Sequence, residues 1–163
     1  MKTVIVYYSM GGNTAFAAEK LAEKLDAGLL RVEPLTAYPE KGAKKFLFGG
    51  KSALMGEKPA LKPYEFDADC ERVIFGFPVW ASHVTPPLRT FIEENRTALQ
   101  GKRFAAFACQ MGSGGEKALE SLRVFLSIDA FDAQTILIDP KDKPSEGNDR
   151  KIEDFCIALS AAE

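Results

Sequence analysis

Cysteine is scarce in this chain and odd in number. Cys70, Cys109 and Cys156 lie far apart, so the sequence suggests neither a disulfide framework nor a clustered metal motif. Histidine occurs once, as His83, and a lone histidine without a visible partner makes no catalytic constellation. An excess of one charge is also lacking. Twenty-one Lys and Arg stand against 23 Asp and Glu, a net charge of −2, too balanced for nucleic-acid binding by bulk electrostatics. No apolar run approaches membrane-spanning length, and Met1-Lys2-Thr3 leads directly into a strand pattern, so no signal peptide, anchor or membrane partner is expected and the cytoplasm is the expected compartment. What is present is enough apolar material, 46% of 163 residues, to bury one well-developed core, and residues 1–163 are expected to form a single domain.

Short apolar runs rich in β-branched and aromatic residues alternate with segments of helical period, the pattern of parallel strands joined by crossover helices. Five strands are expected, Val4 to Tyr8, Leu29 to Val32, Val73 to Phe77, Phe104 to Cys109 and Thr135 to Ile138. Most are unbroken apolar runs, as for strands covered on both faces. Helical stripes run through Ala17, Leu21 and Leu25; through Leu88, Phe91, Ile92 and Leu99; through Leu119, Leu122 and Leu126; and through Ile152, Phe155, Cys156 and Leu159. Pro86-Pro87 suits the first turn of the second stripe's helix. The long connection from Pro34 to Arg72 is the irregular one. A helix is expected there over Ala43 to Leu54, interrupted at Gly49-Gly50, and six lysines face one glutamate between Lys41 and Lys62. That lysine segment reads either as a solvated face or as a docking surface for an anionic partner.

Three loops that follow strands should carry the chemistry, because an open parallel sheet binds ligands outside the carboxyl ends of its strands. The first, Ser9-Met10-Gly11-Gly12-Asn13-Thr14, sits between a strand and a helix. Unpaired N–H groups at a helix start carry partial positive charge, and glycines let them approach an anion closely; Ser9, Asn13 and Thr14 add side-chain donors. The loop has no lysine and no Gly-Lys-Ser/Thr ending, so it suits a single phosphate monoester better than a triphosphate with magnesium. The second loop, Pro78-Val79-Trp80-Ala81-Ser82-His83-Val84-Thr85-Pro86-Pro87, presents the only tryptophan. The third, Cys109-Gln110-Met111-Gly112-Ser113-Gly114-Gly115, is glycine-rich and leads into a helix. Together they offer what a flat heteroaromatic ring needs: an aromatic face, and close backbone groups for its polar edge.

The strand followed by Ser9 to Thr14, then Gly76-Phe77-Pro78-Val79-Trp80, Thr85-Pro86-Pro87 and Leu88 to Ile92, resembles the flavodoxin family in its short-chain form. The resemblance covers nearly the whole chain and is weakest from Pro34 to Asp69. It implies an α/β three-layer sandwich around a five-stranded parallel sheet in order 2-1-3-4-5, and non-covalent FMN. The phosphate would sit on Ser9 to Thr14 and the isoalloxazine against Pro78 to Ser82 and the Gln110 to Gly114 loop. Met10-Gly11-Gly12 stands where the family commonly has a Thr-Gly pair, which shifts the implied phosphate contacts from hydroxyls to backbone.

The expected function is electron transfer through bound FMN with a redox partner protein, the chain being a monomer or weak dimer. The alternative is an NAD(P)H-dependent FMN or quinone reductase, with Lys41 to Lys62 steering the dinucleotide. A phosphoacceptor receiver domain shares this strand order but needs carboxylates at the first strand end, where Tyr7-Tyr8-Ser9 offers none. Trp80 is read as a ligand face rather than core. His83 is read as a loop residue, with proton donation to a reduced flavin as the alternative. Cys109 is read as a small apolar packing residue, with redox activity as the alternative. Tyr7 and Tyr8 are strand residues, one of whose hydroxyls could reach the ring.

Overall fold

The computed structural model describes residues 1–39 and 50–162. Strand β1 (Thr3–Tyr7) leads to helix α1 (Asn13–Leu25) and strand β2 (Gly28–Arg31). After the long connection come β3 (Arg72–Pro78), α2 (Pro86–Glu94), β4 (Arg103–Gln110), α3 (Gly115–Leu126), β5 (Gln134–Ile138) and α4 (Glu146–Ala161). All strand pairs are parallel, and the order is β2-β1-β3-β4-β5, as the sequence led us to expect.

Side chains alternate across each strand, so the apolar runs fill two cores at once. Val4 and Val6, with Phe75, Phe77, Phe104 and Ala106, pack on one face against Leu88, Phe91 and Ile92 of α2 and Leu119 and Leu122 of α3. Ile5 and Tyr7, with Ile74, Ala105, Phe107 and Leu137, pack on the other against Ala17, Ala18 and Leu21 of α1 and Ile152, Phe155 and Leu159 of α4. Each fully buried Phe or Leu contributes on the order of 1.5–3 kcal/mol. Gly76 lies in register with Phe107, and a Cβ on it would sit 2.2 Å from that ring, so the phenyl group fills the space left by the missing side chain.

Several boundaries shift by a residue or two, and two expectations need correction. Strand β2 is an edge, and Leu29 is 45% exposed rather than covered on both faces. Leu99 is buried but lies past the end of α2, in a run of turns, so it does not extend that helical stripe. In the long connection, residues 50–54 are helical, Gly50 among them. The rest of the helix expected there, with Gly49, Lys41, Lys44 and Lys45, lies outside the described residues. Of the remaining lysines, Lys58 pairs with Glu93 at 3.4 Å and Lys62 with Glu33 at 2.9 Å, while Lys51 is exposed. Among the described residues no helix is long and apolar enough to cross a membrane.

Candidate functional site

Because every strand runs the same way, the loops after β1, β3, β4 and β5 emerge at one edge of the sheet, where they enclose a cleft of about 540 Å³. That volume is within the ~300–1,000 Å³ usual for small-molecule sites. Ser9, Met10, Gly11, Asn13 and Thr14 line one end. Pro78, Val79, Trp80 and Ala81 form one wall, and Cys109, Gln110, Met111, Gly112 and Ser113 the other. Gly12, Ser82, His83 and Gly114 are not on the lining. Gly12 and Gly114 instead shape the loops behind it, each with a left-handed backbone (φ +95° and +96°) immediately before a helix.

At the first loop, the N–H groups of Gly11, Gly12, Asn13 and Thr14 donate to no acceptor among the described residues. Gly12, which precedes α1, offers no side-chain cap, and the first turn of the helix carries no acidic residue. Four donors at the positive end of a helix thus remain available to an anion. The side chains are employed differently from expectation. Buried Ser9 accepts from the Ala15 N–H at 3.1 Å, which secures the entry to α1. Asn13 does not point a free amide at the cleft: its oxygen accepts from the N–H groups of Lys141 (2.8 Å) and Asp142 (3.2 Å), and its Nδ2 donates to the Asp142 carboxylate at 2.8 Å. Thr14 is 1% exposed, with its hydroxyl beside the Cys109 thiol. Arg31 holds the Ser9 carbonyl at 3.1 Å from the edge strand.

The second loop turns sharply. Ala81 and Ser82 both have positive φ (48° and 62°), and the His83 N–H closes the turn on the Trp80 carbonyl at 2.9 Å. Two non-glycine residues held there cost ~1–2 kcal/mol each, strain of the kind that clusters at ligand sites. The Trp80 ring is half-buried and meets Tyr8 and Tyr38 edge to face, with centroids 5.5 and 5.1 Å away. Two tyrosines thus hold the indole upright in the cleft wall. The His83 imidazole forms no hydrogen bond among the described residues and stands off the cleft.

In the third loop, Gln110 accepts from the Gly115 N–H at 2.8 Å and donates to the Gly112 carbonyl at 3.2 Å, so the side chain serves its own loop. A Cβ on Gly114 would meet Ser82 Oγ at 2.7 Å, which shows how closely this loop abuts the second. Burial pushes the Cys109 thiol up to about 12, with the Asp139 carboxylate adding to the shift and the Thr14 hydroxyl opposing it. The sulfur remains a thiol across the physiological range, consistent with a packing role.

Sequence reasoning missed two parts of the site. One is Tyr38, in the irregular connection, with its hydroxyl 3.4 Å from Ser52 Oγ. The other is the loop after β5, where Asp139, Asp142 and Lys143 line the cleft and Lys141 lies over Gly12. The rule that ligands sit beyond strand ends applied to β5 as well, and Asp139-Pro140-Lys141-Asp142-Lys143 was the signal to examine.

The family model described as flavodoxin matches residues 2–137. A flavoprotein from Lactobacillus acidophilus NCFM, solved in complex with FMN, is 20% identical; the match covers 86% of this chain and 95% of that one, with a TM-score of 0.70. A candidate flavoprotein from Bacteroides eggerthii DSM 20697 is 21% identical over 98% of both chains, with a TM-score of 0.73. The flavodoxin of Streptococcus pneumoniae TIGR4 is 16% identical over the whole of both, with a TM-score of 0.58. At such identities the likeness to these structures is one of fold.

Proposed function

The chain belongs to the flavodoxin family, and from that premise we propose that it binds one FMN in the cleft and carries electrons between redox partner proteins. The observation that carries this reading is the division of the cleft: unpaired backbone donors at the α1 start, and an aromatic wall with close backbone groups at the other end. A phosphate monoester joined to a flat ring matches that division, and the residues present fit the group. When bound, the flavin supplies one- and two-electron chemistry, and the protein supplies position and electrostatics. The N–H groups of Gly11 to Thr14 would hold the phosphate, and Trp80 would offer its indole to the ring. The peptide groups of Ala81 and of Gly112 and Ser113 would meet the ring's polar edge. The apolar surface of Trp80 and Met111 would disfavour a net negative charge on the ring.

No acid–base pair is needed for such a role, and the histidine and cysteine are both placed accordingly. His83 stands off the cleft, and Cys109 is held as a thiol. The reductase alternative has the lysines from Lys41 to Lys62 steering a dinucleotide. Two of those described, Lys58 and Lys62, are already paired with Glu93 and Glu33. Anaerobic stopped-flow mixing of FMN-loaded protein with NADPH separates the two readings. An electron carrier keeps its oxidised flavin colour until a separate reductase is added; rapid bleaching by NADPH alone would make the chain a reductase.

A further inference from the structure

Tyr38 joins two features that the cleft alone does not explain. Its ring meets the Trp80 indole edge to face at 5.1 Å, so it backs the aromatic wall of the cleft from the protein side. Its hydroxyl lies 3.4 Å from Ser52 Oγ, and the Ser52 hydroxyl in turn donates to the Glu57 carboxylate. A serine has one hydroxyl proton to give. That proton is spent on Glu57, so at the longer Tyr38 contact the phenol is the donor and Ser52 the acceptor. The three side chains form one directed chain, from a ring packed on the cleft wall, through a hydroxyl that is 4% exposed, to a carboxylate at the surface.

The backbone builds this chain. Ser52-Ala53-Leu54-Met55-Gly56-Glu57 ends the helical residues 50–54 in a glycine turn: Gly56 has φ +64°, its N–H donates to the Ala53 carbonyl at 3.1 Å, and the Glu57 N–H reaches back to the Ser52 carbonyl at 3.1 Å. Such a helix end sets the residue after the glycine beside the one five positions earlier, and the contact between them is commonly apolar. Here it is a hydroxyl on a carboxylate. The chain beyond is tied to α2, where the Thr90 hydroxyl donates to the Pro59 carbonyl at 2.8 Å and Lys58 pairs with Glu93 at 3.4 Å. On the other side Trp80 is held between Tyr38 and Tyr8, so the indole and the phenol keep their contact.

A phenol gives up an electron readily only when its proton can leave with it, and a carboxylate reached through a hydroxyl is a place for that proton to go. We propose that Tyr38 is a second, protein-based redox site, which returns an electron to Trp80 after the indole has been oxidised from the cleft. The oxidant is light-excited oxidised FMN, and this part rests on the reading that the cleft takes FMN. Trp80 gives one electron to the flavin, and the indole cation left behind takes one electron from Tyr38. As it does so, the phenol proton passes to Ser52 Oγ while the Ser52 proton passes to Glu57, which exchanges it with water. One electron has then moved to the flavin and one proton to solvent, and Tyr38 is left as a neutral phenoxyl radical. The oxidised site is now one ring further from the flavin than Trp80, which slows the return of the electron.

The test uses the flavin-free protein, whose single tryptophan is oxidised by azide radicals made in a radiolysis pulse. In the parent the indole radical should decay as a tyrosyl radical grows in, at one rate that does not depend on protein concentration. Tyr38→Phe keeps a ring against Trp80 and removes the phenol, so the growth should vanish and the indole radical persist. Glu57→Gln keeps an acceptor for the Ser52 hydroxyl but takes up no proton, and Ser52→Ala cuts the chain; each should slow the growth by about tenfold or more. Tyr8→Phe should leave the growth in place, and urea midpoints establish that the variants compared are folded. Growth that persists in Tyr38→Phe, that keeps the parent rate in Glu57→Gln and Ser52→Ala, that is lost in Tyr8→Phe, or that is absent from the parent would overturn the proposal. A light pulse on the FMN-loaded parent should give the same tyrosyl signal, and its absence with FMN bound would overturn the flavin as the oxidant. Because the radiolysis arm needs no flavin, failure of FMN to bind would remove the FMN reading and leave the step from Trp80 to Tyr38 to be decided by that arm.

Discussion

Replacing Gly12 by aspartate tests the phosphate end of the cleft through both backbone and charge. Gly12 has φ +95° and ψ −12°, a conformation that costs an L-residue ~1–2 kcal/mol. The new Cβ would fall 2.8 Å from Lys141 Nζ, but that atom is the end of a flexible chain and can swing away. The folded domain should therefore survive, since both cores lie beneath the loop. Binding should not survive. The carboxylate would occupy the anion position, pair with Lys141 and repel the phosphate. Losing two or more charge-assisted hydrogen bonds at ~1.5–3 kcal/mol each amounts to roughly 10²–10⁴-fold in FMN affinity. Gly12→Ala carries the same backbone strain without the charge, so the difference between the variants isolates the electrostatics. Urea unfolding measures the first effect and flavin titration the second. If Gly12→Asp binds FMN as tightly as Gly12→Ala, the anion does not sit at the α1 start and the reasoning fails.

Trp80→Ala should weaken FMN binding by ~1–3 kcal/mol, the scale of stacking on an aromatic residue, and in the parent the single tryptophan should be quenched on FMN titration. An indole whose fluorescence is indifferent to FMN would belong to the Tyr8–Tyr38 cluster alone. Cys109 should resist alkylation at pH 8 in the folded protein and react on unfolding, as mass spectrometry would record; prompt modification of the native protein would refute its burial. Its thiol is raised from the ordinary 9.0 to about 12 on folding, so the unfolded chain loses that proton first. Its contribution to stability is therefore complete below pH 9 and declines as pH rises toward 12, by up to ~1.4 kcal/mol per pH unit. Cys109→Ala should flatten that part of the urea-measured stability profile.

The sheet was legible in the sequence because its strands are short apolar runs with few competing patterns. Val4 to Tyr8 and Phe104 to Cys109 read as strands on local grounds, and the alternation that feeds two cores is a property of the pleat. Three of the cleft's loops were legible because glycine, proline and the lone tryptophan mark them. What escaped was set by distance along the chain. Nothing local in Asp139 to Lys143 says that Asn13, more than 120 residues earlier, will hold it over the first loop. Asn13 itself was assigned a phosphate from its residue type, whereas its amide is consumed by that loop. Tyr38 lies in a connection without periodicity, and only the tertiary fold brings it edge-on to Trp80. Exposure of Leu29 follows from β2 being an edge strand, which composition alone does not reveal.

The central claim, that this cleft takes FMN by its phosphate and its ring, is tested most directly by titrating the flavin-free protein with FMN and with riboflavin under identical salt. Visible absorbance and Trp80 fluorescence follow the two titrations together. The account predicts one FMN per chain, quenching of Trp80, and riboflavin weaker by at least about two orders of magnitude, from the loss of two or more charge-assisted phosphate contacts. Equal affinity for the two flavins, or no flavin bound at all, would contradict it.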